Sequence, residues 1–216
     1  MKTIALFGAT GKSGHQFLPA ALKAGYAVKA LVRDPARLPA AGRSGRLEII
    51  QGDILDPRAV AETVRGADVV VSLIGHVKGS PAWVQTDGTQ NIINALRAAG
   101  PAGEAVKIVS LTGGAVPYEQ DQPKLPDRIF KTIMKVVAGT ILMDATRHAQ
   151  VLRGSGLPWV VVRGPRLTDE PRRGHYRVGW VGVNASTKIG RADLADFLLT
   201  QVDDDQYVGQ MPFVSY

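Results

Sequence analysis

The 216-residue chain contains no cysteine. Disulfides, thiolate nucleophiles and cysteine-based metal sites are therefore excluded, and the composition suits a reducing compartment. Aromatic residues make up only 6% of the chain, and apolar runs such as Val69–Val71 and Val160–Val162 have the length of strand cores, far below a membrane span. The chain turns strand-like after one lysine, without the pattern of a secretory signal. A cytoplasmic protein with no membrane association is expected. Acidic residues are outnumbered, 19 against 26 Lys and Arg, for a formal net charge of +7. Much of the excess lies in Arg163, Arg166, Arg172, Arg173 and Arg177. No aromatic-interleaved basic stretch accompanies them, so a solvated basic face is expected and nucleic acid is not. No metal-ligand spacing is present, and Asp203-Asp204-Asp205 reads as a solvated loop.

What the chain does have is a buried-strand run, Thr3 to Phe7, that breaks into Gly8, Gly11 and Gly14 and then opens an amphipathic helix. That order builds a dinucleotide site. Gly8 permits a tight turn, Gly11 lets backbone approach a pyrophosphate, and Gly14 lets the helix pack on the strand. The free N–H groups and dipole of the helix start favour the phosphate charge. Gly11-Lys12-Ser13 also resembles the end of a P-loop, but that motif needs glycine five residues earlier, where Leu6 stands.

Further along, strands are expected at Ala27–Val32, Leu47–Gln51, Val69–Ile74, Val106–Leu111 and Trp159–Val162, with helices at Gly14–Ala24, Pro57–Arg65, Val84–Ala99 and Ala192–Gln201. The alternation predicts one α/β domain of the Rossmann type, a doubly wound and mostly parallel sheet with helices on both faces. Two irregular segments, 113–127 and 164–187, are expected as loops walling the substrate side of the crevice beyond the strand ends, where Gly75, Thr112 and Arg163 fall. Ile129, Phe130, Ile133, Met134, Val137 and Ile141 recur at helical spacing, which reads as packing against the sheet, with a dimer face as the alternative. A helix over Asp144–Arg153 would carry His148 on its surface.

An NAD-selective site places a carboxylate at the end of the second strand, and this chain has Arg33 there. A guanidinium pairs with a 2′-phosphate where a carboxylate would repel it, and Arg37 and Lys12 add charge. NADP(H) is the expected cofactor. Asp34-Pro35 reads as a cap for the next turn, and Asp53 either meets the adenine amino group or is a turn residue.

Together, Gly8-Ala9-Thr10-Gly11, Leu31-Val32-Arg33-Asp34, Gly52-Asp53-Ile54, Gly88-Thr89-Gln90-Asn91, Leu152 to Leu157 and Ile189 to Ala195 resemble the atypical short-chain dehydrogenase/reductases. The likeness is to the NAD(P)H-binding group that includes biliverdin reductase B and NmrA-type redox sensors, and it covers almost the whole chain. It implies that Gly8, Thr10, Gly11, Lys12, Ser13 and Gly14 hold the pyrophosphate, Arg33 and Arg37 the 2′-phosphate, Asp53 and Ile54 the adenine, and Leu73 and Gly75 the nicotinamide-side ribose. Thr112 lies near the superfamily's catalytic serine, with Ser110 the alternative on the same strand face. The superfamily's Tyr-x-x-x-Lys acid is missing: Tyr118 is followed at that spacing by Gln122. The resemblance therefore implies either an oxidoreductase for a conjugated or flavin-like small molecule, with solvent as a proton source, or a non-catalytic NADP(H) sensor acting through a protein partner. A monomer or homodimer is expected. His76 stands at the pocket mouth as an acid, a substrate contact or a plain loop residue. Trp83, Tyr118 and Trp180 lie in segments able to line an acceptor pocket.

Overall fold

The computed structural model describes residues 1–39, 45–125, 127, 129, 132–133 and 138–216. Phe130, Met134 and Val137, part of the apolar repeat above, lie outside the described residues. The elements in chain order are β1 (Thr3–Phe7), α1 (Gly14–Lys23), β2 (Ala27–Val32), β3 (Leu47–Gln51), α2 (Pro57–Val64), β4 (Val69–Ser72), α3 (Val84–Ala98), α4 (Pro101–Glu104), β5 (Lys107–Gly113), α5 (Gly139–Arg153), β6 (Trp159–Gly164), β7 (Arg166–Thr168), β8 (Arg177–Gly179), β9 (Lys188–Gly190), α6 (Arg191–Thr200) and β10 (Phe213–Ser215). The main sheet runs β3-β2-β1-β4-β5-β6-β10-β8, and only β8 is antiparallel to its neighbour. The order reverses between β1 and β4, so the crevice of a doubly wound sheet opens beyond their carboxyl ends.

The apolar runs of the central strands follow from burial on both faces. In β1, Ile4 and Leu6 pack with α1 and α6, while Ala5 and Phe7 pack with α2, α3 and α5. The same alternation continues in β4, β5 and β6, which places two apolar layers around one sheet.

Several expectations change here. The 113–127 and 164–187 segments are not plain loops: Gly113 ends β5, Leu125 and Asp127 are helical, and β7 and β8 lie in the second segment, with β7 pairing β9. Ile129 and Ile133 are helical, as their spacing predicts. Ile129, Ile133 and Ile141 are 54%, 53% and 45% exposed, so they do not pack against the sheet. The five arginines do not form one open basic face. Arg163 is fully buried, where Asp121 accepts a two-pronged hydrogen bond from its guanidinium at 2.7 and 2.8 Å and the carbonyls of Val116 and Met211 accept one each. Arg172 pairs with Asp196, and Arg173 pairs with Glu170 while lying over the Tyr216 ring.

Arg163 thereby fastens the chain after β5 to the end of β6. Asp121 also accepts from the Val181 N–H, and Gln122 donates to the Val181 carbonyl, so the two irregular segments are tied to each other. On the opposite side Asp193 of α6, wholly buried, accepts from the N–H groups of Arg173 and Gly174 and from the Tyr216 hydroxyl. Burial alone would raise its pKa, but these hydrogen bonds outweigh that and hold it below the usual carboxylate range.

His148 is not on the surface of α5. It is 2% exposed, with Nδ1 2.7 Å from the Thr89 hydroxyl of α3 and Nε2 3.0 Å from the Ser110 hydroxyl of β5. Burial lowers its pKa from 6.5 to about 4, partly opposed by the Asp144 charge. The ring is therefore neutral in the folded protein and spans three elements.

Two predictions follow from these buried groups. Asp121→Ala leaves the Arg163 charge buried without its partner and should cost about 3–5 kcal/mol in a denaturant titration. Because the folded-state pKa of His148 lies below its unfolded value, its effect is absent above pH 6.5 and grows as pH falls toward 4, where only the unfolded chain takes the proton. Stability should therefore fall by on the order of 3 kcal/mol across that window, and His148→Gln should remove that part of the pH dependence.

Candidate functional site

The glycine loop fits a phosphate because of what its glycines leave out. Gly8 has φ +88°, and a Cβ there would lie 2.9 Å from the Leu73 carbonyl group. A Cβ on Gly14 would lie 2.2 Å from the Gly8 oxygen, so α1 is pressed directly against the end of β1. Gly11 differs from both: a Cβ there meets only the Gly8 oxygen at 3.4 Å, and its outer side is open. The N–H groups of Lys12, Ser13 and Gly14 have no backbone partner among the described residues, and the first turn of α1 carries no acidic residue to occupy them. Lys12 is exposed and reaches Asp169 at 3.4 Å, next to Arg191. The donors of an anion site at a helix start are thus present and unspent.

Beyond β2, the Arg33 side chain is 63% exposed, and its nearest charged partner, Asp53, lies 3.9 Å away. Asp34 accepts from the Ala36 N–H and caps the 3-10 turn Pro35–Arg37, as its sequence predicts, so its carboxylate is engaged. The Arg37 carbonyl lies 3.0 Å from His15 Nε2, and the Arg37 side chain is exposed. Asp53 uses one oxygen to accept from the Leu55 N–H, so it is a turn residue whose other oxygen faces Arg33. Ile54 is 7% exposed, with its side chain against the open Cα of Gly88. Its carbonyl accepts from the Asn91 side-chain amide at 3.0 Å, which leaves the N–H as its group for a base.

At the other end of the crevice, Leu73 forms the wall behind Gly8, and Gly75 has no atom within 4 Å of its missing side chain. Thr112, one residue before the end of β5, has a buried hydroxyl with no hydrogen-bond partner among the described residues. Ser110, the alternative on the same face, is already bonded to His148. Of the two hydroxyls, that of Thr112 is the one left unbonded among the described residues. The residues present therefore fit a dinucleotide.

A separate hollow of about 710 Å³ lies between Trp83 at the start of α3, the residues after β5 and the outer face of α5. Trp83, Ala115, Pro117, Leu142 and Met143 supply an apolar lining, and the Arg147 guanidinium sits 5.3 Å over the Trp83 ring. The volume suits a small molecule. Tyr118 and Trp180 are elsewhere: Tyr118 is buried and packs on Trp180 at 5.4 Å. Burial first, and the nearby Glu119 charge second, raise the Tyr118 pKa.

The residue that sequence reading missed is Asp144. Its carboxylate, fully buried, accepts from the N–H groups of Gln85 and Thr86 at 2.9 Å, from the Thr86 hydroxyl at 2.6 Å and from His76 Nε2 at 2.7 Å. Burial alone would raise its pKa; the hydrogen bonds from Thr86, Gln85 and His76 outweigh that, so the group is held charged. The available signal was spacing: Asp144, Ala145, His148, Ala149 and Leu152 form one helical stripe, and both polar members share the face of the apolar ones. His175 and His15 bond only backbone carbonyls. Among the described residues no group of His, Asp and Glu has the arrangement of a metal site, and no helix is long and apolar enough to cross a membrane.

With this geometry in place, likeness to known proteins follows. Residues 8–205 match the model of an NAD(P)H-binding family. A reductase of Aspergillus terreus, pytE, is 28% identical, with 99% of this chain and 98% of that protein covered. A short-chain dehydrogenase/reductase of Veillonella parvula, solved in complex with NADP, superposes with a TM-score of 0.78 at 17% identity, covering 100% of this chain and 94% of that one. A Streptococcus pneumoniae protein provisionally assigned as an NADH-flavin reductase gives 0.76 at 20% identity, covering 100% and 99%. The chain belongs to this NAD(P)H-binding family and has the Rossmann fold of its structural neighbours.

Proposed function

We propose that this chain is an NADP(H)-dependent reductase of a small conjugated or flavin-like acceptor. The observation that carries the cofactor choice is Arg33: an exposed guanidinium stands where an NAD-selective site has a carboxylate, and both nearby carboxylates, Asp34 and Asp53, are engaged in turns. Lys12, Ser13 and Gly14 would bind the pyrophosphate through the helix start, with Arg33 and Arg37 on the 2′-phosphate and Asp53 and the Ile54 backbone at the adenine. Leu73 and Gly75 would meet the nicotinamide-side ribose, and Thr112 would donate its free hydroxyl at the reacting end. When bound, the reduced nicotinamide supplies a hydride. The chain's own part is to place an acceptor against the nicotinamide at the carboxyl ends of β4 and β5, beside Thr112.

No tyrosine in the sequence is followed four residues later by lysine, and the Tyr118 hydroxyl is buried away from the hollow. An acceptor whose conjugated ring takes a hydride readily suits such a site better than a simple ketone. The reductase similar over nearly the whole length, and the flavin-reductase assignment of one structural neighbour, support this reading.

Arg33→Asp replaces the paired charge with a repelling one and should weaken NADPH binding at least about tenfold while leaving NADH binding within about threefold, measured by fluorescence titration. An equal loss for both would count against the NADP(H) assignment. Thr112→Val removes an unpaired buried hydroxyl at nearly constant volume. The cofactor-free variant should gain about 1 kcal/mol, or about 2–4 °C in thermal midpoint, while NADPH-dependent flavin reduction slows.

A further inference from the structure

The geometry points to His76 as the proton donor to the acceptor, held for that task by Asp144. This rests on the reductase reading above. His76 follows Gly75 in the loop after β4, on the side of the crevice assigned above to the nicotinamide. Its segment is pinned twice: Gln85 donates to the Ile74 carbonyl at 2.8 Å, and His76 Nε2 meets Asp144 at 2.7 Å. A carboxylate held charged by hydrogen bonds only accepts, so Nε2 must carry the hydrogen of that contact. The other ring nitrogen, Nδ1, has no hydrogen-bond partner among the described residues, and the side chain is 10% exposed. A buried aspartate that fixes the tautomer and orientation of a histidine is the arrangement that general acid–base catalysis uses in unrelated folds.

The other candidates near the crevice are spent. His148 is buried between Thr89 and Ser110, with no path to a ligand and a proton affinity too low for the task. The Tyr118 hydroxyl is buried, and a threonine hydroxyl such as that of Thr112 is too weak an acid to give up a proton without a base beside it. Asp144 is a positioning residue here; His76 is the group that meets the acceptor. In the step, one end of the acceptor's double bond gains a hydride from the reduced nicotinamide, forming a new bond to hydrogen as its π bond opens. The other end takes the Nδ1 proton of the His76 imidazolium, which keeps its Nε2–H on Asp144 and is left as the neutral ring, and solvent then returns a proton to Nδ1. The acceptor is reduced by two electrons, and the cofactor is oxidised by two.

The test compares wild type with His76→Gln, which keeps an N–H directed at Asp144 but has no transferable proton. The two acceptors are FMN, whose reduced form persists as an anion, and 2-cyclohexenone, whose hydride adduct is an enolate that needs a proton. For the variant, kcat with cyclohexenone should fall about 100-fold with KM little changed, and the FMN-to-cyclohexenone ratio of kcat should rise at least about 30-fold. Equal losses on both acceptors, no loss on either, or a wild type that reduces FMN but not the enone would each overturn the assignment. A wild type that reduces neither acceptor would overturn the underlying reductase reading with it. Independently of turnover, 15N NMR of the cofactor-free protein should show neutral His76 protonated on Nε2. The opposite tautomer would overturn the proposal.

Discussion

A Cβ at Gly14 would sit 2.2 Å from the Gly8 backbone oxygen, closer than such atoms approach, so the contact between the end of β1 and the start of α1 exists only because position 14 is glycine. Everything at the crevice is arranged around that contact. It sets the helix start close against the sheet, leaves the N–H groups of Lys12 to Gly14 pointing past the strand ends, and opens the outer side of Gly11. Because β1 is also where the strand order reverses, the same contact stands at the point from which β2 and β3 on one side and β4 and β5 on the other diverge.

Around this fixed point the protein divides its polar groups into two kinds. Those that hold the scaffold are buried and fully partnered: Arg163 with Asp121, Asp193 with the 173–174 backbone, His148 between two hydroxyls, Asp144 at the head of α3. Those at the crevice are left with donors or acceptors in hand: Arg33, Thr112 and the first N–H groups of α1. A buried polar group without a partner carries a cost, and leaving it at a ligand's position moves the compensation from folding to binding. Thr112 and Ser110, two residues apart on one strand face, show the division within a single strand.

The regular half of the fold was legible because its signals are local. The glycine spacing, the Asp34-Pro35 and Asp56-Pro57 caps and the apolar runs place β1 to β4 and α1 to α3 within a residue or two. The strands β7, β8, β9 and β10 were not legible, since three-residue strands carry no periodicity and are defined by partners far along the chain. Arg163 and His148 were misread for a related reason: a charge or imidazole reads as surface unless its partner is known, and Asp121 and Thr89 lie 42 and 59 residues away. In the candidate site the cofactor half rests on motif spacing and the acceptor half on tertiary contacts, which is why Asp144 escaped notice while Arg33 did not.

Asp144 has one more consequence, for the order in which the molecule assembles. Trp83, the residue before α3, makes no capping hydrogen bond of its own, and the first N–H groups of the helix are satisfied by a carboxylate 58 and 59 residues later in the chain. The start of α3 therefore cannot be completed by local chain closure; it waits for α5 to dock. The segment bearing Gly75 and His76 hangs from that same joint, so the acceptor side of the crevice is among the last parts to set. Any opening that lifts α5 from α3 releases the crevice wall and the helix start in one event, while the glycine loop, closed within twelve residues of chain, stays formed.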